Sequence, residues 1–115
     1  MSDRSDTALI GDIQLRLERI KKYISGLSYE DFIEDCKTQD AVIRNIEILG
    51  EASKKLSPQL ISRHPEIPWR LIAGTRDRLI HGYFGVNIDI IWQVATVDLP
   101  VLEEQIRLVA RELEG

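Results

Sequence analysis

The chain predicts an all-α protein, an up-and-down bundle of four to five helices, on three observations. Four long segments carry apolar residues at alternating steps of three and four. Glycines, prolines and small polar residues fall between those segments. No stretch alternates apolar and polar residues long enough to compete as a strand. With 115 residues, 43% hydrophobic and 30% charged, the chain has the size and balance of one domain, 1–115, around one core.

The first helix is read from Ile10, Ile13, Leu17, Ile20 and Ile24, with Arg16, Glu18, Arg19 and Lys21 filling the gaps. That spacing lines one face of a helix. Asp6 is its expected N-cap and Gly26 its stop. Ser28-x-x-Asp31 has the form of a capping box and predicts a short helix before Cys36. The second long helix spans about Thr38 to Leu56, with Val42, Ile46, Leu49, Ser53 and Leu56 on its seam and Glu51 placed to pair with Lys55. Ser57-Pro58 ends it. Pro58, Pro65 and Pro68 make residues 57–68 a bent connection with one short turn of helix.

Pro68 stands where a helix can begin, because its missing N–H is harmless in the first turn. The segment Trp69–His81 follows and stops at Gly82. In the last segment Asn87 is the expected N-cap, and Ile88, Trp92, Ala95, Leu99, Leu102, Ile106, Val109 and Leu113 alternate without interruption. Pro100 lies inside that pattern and predicts a kink, since the Thr96 carbonyl loses its donor.

No apolar run approaches the roughly 20 residues of a membrane span. The opening MSDRSDTALIGD lacks the parts of a secretory leader, so a soluble, cytoplasmic chain with no membrane partner is expected. Cys36 is the single cysteine and reads as a passive thiol in a reducing compartment. The net charge of −4 is unevenly spread: residues 54–85 hold six basic and two acidic side chains, and the rest hold nine and seventeen. An acidic body with one basic segment fits a local phosphate site and argues against coating of nucleic acid, although such segregation also arises on ordinary solvated surfaces.

Arg76, Asp77, Arg78, His81 and Tyr83 gather at the end of the third long helix, beside Gly82 and Gly85. Arg76 and Tyr83 share a helical face, while His81 lies roughly 140° round from Arg76 on an ideal helix. Convergence therefore needs the helix to loosen near Gly82, long side chains, or a second copy of the chain. Histidine suits proton transfer to and from a ribose 2′-OH at neutral pH, and a guanidinium can bind two phosphate oxygens as charge builds on them. One Arg and one His form a minimal metal-free ribonuclease site, but the same residues also serve as surface caps.

Elsewhere, Asn45, Glu47 and Glu51 read as a solvated helix face, with Asn45 able to hydrogen-bond near the site. His64 reads as a surface loop residue, and Trp69 and Trp92 as core or dimer contacts. No carboxylate/histidine set has metal-site spacing, so no metal and no cofactor is expected.

Arg76-Asp-Arg-Leu-Ile-His81-Gly-Tyr83 resembles the R-x4-H-x-Y signature of the HepT toxins within the HEPN superfamily. Ile43-Arg-Asn-Ile-Glu-Ile-Leu-Gly-Glu-Ala52, Ile67-Pro-Trp69 with Ile72-Ala-Gly74, and Tyr83-Phe-Gly-Val-Asn87 extend the resemblance over nearly the whole chain. It implies an all-α, HEPN-like homodimer with Arg76 and His81 of both chains meeting in a cleft as catalytic residues, and Asp77 and Arg78 in support. It further implies the toxin of a toxin–antitoxin pair, an RNA-cleaving enzyme held in check by a small (MNT-type) nucleotidyltransferase antitoxin. That partner transfers AMP to the motif tyrosine, here Tyr83, putting bulk and negative charge where an RNA phosphate sits. Asp77 departs from the family's common Asn, and a carboxylate beside Arg76 can pair with it and weaken phosphate binding. The alternative is a catalytically silent helical subunit that docks the nucleotidyltransferase.

Overall fold

The apolar steps read from the sequence become seams between antiparallel helices in the computed structural model, which describes residues 5–80 and 87–115, with side chains described for 5–75 and 87–115. Helix α1 (Asp6–Ile24) buries Leu9, Ile10, Ile13, Leu17 and Ile20. Its cap is Ser5, whose hydroxyl accepts from the Ala8 amide, and not the expected Asp6. Asp6 is drawn away by a distant partner: its two carboxylate oxygens accept from the Ser57 amide at 2.9 Å and the Ser57 hydroxyl at 2.5 Å. Gly26, at φ 79°, follows the end of α1 in the left-handed conformation that glycine adopts without strain. The Ser28 capping box opens α2 (Tyr29–Ile33) as expected, and α2 buries Phe32.

Helix α3 (Cys36–Lys54), capped by Asp35, buries Val42, Ile46, Leu49 and Ser53, with Leu56 just beyond it. Each aliphatic residue of this seam contributes about 1.5–3 kcal/mol by burial. The pairing expected between Glu51 and Lys55 goes instead to Lys54, 3.9 Å away on the same helix. Helix α4 (Pro58–Arg63) occupies the bent connection, with Ser57 as its cap and Pro58 at its first position. Helix α5 (Trp69–Ile80) then returns along α3.

The last segment consists of α6 (Ile88–Gln93), a π-helical turn (Val94–Asp98) and α7 (Leu99–Glu114). Asn87 caps α6 through its side chain, as expected. The distortion predicted at Pro100 falls one turn earlier. The Leu99 N–H reaches back five residues to the Val94 carbonyl, and this wider turn relieves the clash that a proline ring makes with the carbonyl four residues before it. The wide turn also rotates the helix ahead of it. Ile91 and Val94 take fully buried positions, while Ile88 and Trp92 are partly buried.

Four long segments run up and down around one core, with α2 and α4 as short helices in the connections, and no strand occurs among the described residues. Among those residues no helix is long and apolar enough to cross a membrane.

Candidate functional site

Arg76, Asp77 and Arg78 lie on the last turns of α5, in the backbone part of the description; His81 and Tyr83 lie outside the described residues. The convergence of Arg76, His81 and Tyr83 therefore remains an expectation. What the structure supplies is the framework that aims α5.

The start of α5 is held from several directions. The Trp69 amide donates to the Ile67 carbonyl at 2.8 Å, and its indole N–H donates to the His64 carbonyl at 2.9 Å. His64 is buried, at 7% exposure, contrary to the surface position expected from its proline-rich surroundings. Its Nε2 lies 3.2 Å from Glu112 on α7 and its Nδ1 lies 3.5 Å from Glu66. The connection into α5 is thereby pinned to the end of the chain's last helix. Gln105 adds a bond from its side-chain amide to the Glu66 carbonyl at 3.4 Å.

Along its length, α5 buries Trp69, Ile72 and Thr75. The Thr75 hydroxyl donates to the Leu71 carbonyl, which keeps a buried polar group satisfied. The crossing with α3 is close because of Gly50: a Cβ there would stand 3.3 Å from the Ile72 carbonyl oxygen and 3.6 Å from that of Ala73. Glycine inside a helix costs roughly 1 kcal/mol relative to alanine, and at Gly50 this close approach accounts for it. Helix α5 packs along α3 from this crossing. On α3, Arg44 and Glu47 form an ion pair at 3.5 Å.

Asn45 is buried, accepting from Arg16 of α1 at 3.0 Å and donating to the Ala41 carbonyl at 2.8 Å, which overturns its reading as part of a solvated helix face. Beyond the site segment, α6 is anchored by Tyr29, whose hydroxyl donates to Asp89. That hydrogen bond is the main cause that raises the Tyr29 pKa above the ordinary tyrosine value. Trp92 packs on Phe32 and Tyr29, with ring centroids 5.0 and 6.1 Å apart, and Trp69 lies in the core, so neither is a free stacking platform.

A bundle of four long helical segments, the third of which carries Arg76 and is described as far as Ile80, defines an all-α domain of the HEPN type. The family profile described as ribonuclease HepT-like matches residues 13–109, and the chain belongs to this family. A Thermococcus cleftensis protein provisionally named ribonuclease HepT is 45% identical over 100 residues, covering 87% of this chain and 91% of its own. Two proteins provisionally named RNases are also similar. One from Methanocaldococcus jannaschii is 36% identical over 115 residues, covering 100% of this chain and 95% of its own. The other, from Caldanaerobacter subterraneus subsp. tengcongensis, is 39% identical over 104 residues, covering 90% and 89%. No solved structure gives a significant match.

Proposed function

We propose that this chain is a metal-independent ribonuclease toxin that acts as a homodimer and is silenced by a nucleotidyltransferase antitoxin. The observation that carries the reading is the Arg76-x4-His81-x-Tyr83 sequence motif, which begins on the last turns of α5, in a chain that belongs to a ribonuclease family. The ribose 2′-oxygen attacks the adjacent phosphorus and the bond to the 5′-oxygen breaks, leaving a 2′,3′-cyclic phosphate and a 5′-hydroxyl. His81 handles the protons near neutral pH, and Arg76 stabilises the charge gathering on the phosphate oxygens. Asp77 and Arg78 flank Arg76, Asp77 tempering its charge and Arg78 adding phosphate affinity that falls with salt.

The homodimer is supported by an apolar strip beside the site helix. Leu71 on α5 and Val97 and Val101 across from it are 61%, 55% and 62% exposed, around a groove of about 330 Å³, and Leu108 continues the strip along α7 at 52%. Exposed aliphatic residues grouped this way are a feature of association surfaces. Two-fold pairing through the strip brings two α5 helices together, which supplies the second Arg76 and His81.

Silencing follows from transfer of AMP to Tyr83: its oxygen attacks the α-phosphorus of ATP, pyrophosphate leaves, and the phenolic proton is released. The test is cleavage of a defined RNA by the wild-type protein, Arg76→Ala and His81→Ala. Each variant is expected to lose cleavage by about a hundred-fold or more with its helix content unchanged. Cleavage is expected to survive EDTA and to leave a cyclic phosphate. Full activity in either variant, or loss of activity with chelator, would sink the mechanism and leave a helical subunit that only docks its partner. Tyr83→Phe, incubated with the nucleotidyltransferase and ATP, is expected to gain no adenylate mass.

A further inference from the structure

Helix α5 crosses α3 where Gly50 admits the Ile72 and Ala73 carbonyls. One close crossing fixes where a helix passes but not its tilt. Arg76 lies three residues past Ala73. At about 1.5 Å of rise per residue, a tilt of roughly 10° about the crossing moves the Arg76 backbone by roughly 1 Å. In a catalytic site a misplacement of that size can cost on the order of a hundred-fold in rate. The direction of α5 therefore needs a second hold.

That hold is at Trp69, the first residue of α5. Burial of its ring is non-directional, whereas the bond from its indole N–H to the His64 carbonyl sets an angle. The same carbonyl accepts the Ile67 amide at 3.1 Å. The tilt of α5 is thus referred to the place of the His64 peptide, which lies just past the end of α4 with non-helical dihedrals, φ −129° and ψ 62°. Its side chain ties that peptide down. The ring is buried, with Nε2 toward Glu112 and Nδ1 toward Glu66, and Glu66 is itself tied to α7 by Gln105. A ring with one N–H donates to one carboxylate, and a ring with two N–H groups donates to both. The ribonuclease chemistry makes no use of this buried histidine.

We propose that His64 is a positioning residue for RNA cleavage: clamped to α7 through Glu112, it holds Trp69 and so the direction in which α5 carries Arg76. It acts through Trp69 and not on the RNA itself. Its effect on cleavage rests on the ribonuclease reading, and its effect on α5 stands without that reading.

Glu112→Ala removes the ring's partner on α7 from a side chain that is 56% exposed, so the fold is expected to stand. In cleavage of a defined RNA its kcat is expected to fall about ten-fold with KM within about two-fold, since burial of Trp69 still limits the tilt. His64→Leu, which has no donor, is expected to fall alike. His64→Gln, whose amide can still donate to Glu112, is expected to recover most of the loss. The double variant of His64→Leu with Glu112→Ala is expected to lose no more than either alone. Glu104→Ala, which breaks an ion pair within α7, is expected to leave kcat unchanged. A second readout needs no RNA. In the 15N-labelled full chain the indole N–H signals of Trp69 and Trp92 are told apart by Trp92→Phe. Glu112→Ala is expected to shift the Trp69 signal and the amides of residues 76–80, and to leave the Trp92 signal in place. A pair that only stabilises the fold would lower the urea midpoint and leave kcat and the α5 amides as in wild type, and that result overturns the proposal. So does a His64→Gln variant no more active than His64→Leu. Should His64→Leu fail to fold, Glu112→Ala decides. If the wild type cuts no RNA the ribonuclease reading fails, and the Trp69 and α5 signals alone decide whether His64 positions the helix.

Discussion

Two halves of the bundle, α1 with α3 and α5 with α7, are built from the same 3-4 apolar repeat but end differently at their surfaces. Between α1 and α3 the seam closes on itself. Asp6 grips Ser57 at one end, Arg16 reaches Asn45 further along, and no aliphatic side chain of either helix is more than half exposed. Between α5 and α7 the packing stops short, leaving Leu71, Val97, Val101 and Leu108 in water beside a groove. The irregular features fall at the edge of this half or within it: the close crossing at Gly50, where α3 meets α5, and the π turn before Pro100. Where a seam is complete it serves stability. Where it is left open, aliphatic side chains stay in water.

The closed half is broken most severely at its centre. Ile46 on α3 is fully buried, and Ile46→Ala is expected to cost about 2–5 kcal/mol, read as a lower urea midpoint with little change in slope. A loss within error would mean that the α1–α3 seam does not carry the fold. Gly50→Ala acts where the halves meet. Its new Cβ, 3.3 Å from the Ile72 carbonyl, pushes α5 outward, and the strain outweighs the gain in helix propensity by about 1 kcal/mol. RNA cleavage in Gly50→Ala should fall further than its stability does, because α5 carries Arg76. Equal activity at lowered stability would detach the crossing from the site.

In the open half, Val101→Glu is expected to change monomer stability by no more than about 0.5 kcal/mol, since the side chain already faces water. The same change should convert a dimer to monomers in sedimentation, and a dimer that persists would move the interface off this strip. The smallest effect sits at the α3 cap. Hydrogen bonds from the Thr38 side chain and backbone hold the Asp35 carboxyl below the ordinary aspartate range. A carboxyl depressed in the folded state adds stability that is present above its unfolded pKa, about 3.9, and is lost as pH falls through the lower folded value. Asp35→Asn keeps the cap and should flatten that part of the acid limb in urea titrations followed by circular dichroism.

Much of this architecture could be read from the chain because it is decided within four residues. The Ser28 box, the Asn87 cap, the Gly26 stop and the α3 seam depend on neighbours one turn away, and they appear as expected. The candidate site was legible as a motif for the same reason: Arg76 to Tyr83 is a run of eight residues. What it meets in space is not local. Asp6 looked like a cap until Ser57, 51 residues away, claimed its carboxylate. Asn45 looked solvated until Arg16 covered it across 29 residues, and His64 looked exposed until Glu112 closed over it across 48. Pro100 announced a break, yet whether the helix would kink, stop or widen depended on which residues the core could accept on either side. It widened into a π turn, with Ile91 and Val94 in the core ahead of it. Helix identity and capping were set by short-range sterics and hydrogen bonds, whereas the fate of each polar side chain waited on packing, because burial is a property of the neighbours that arrive and not of the residue itself.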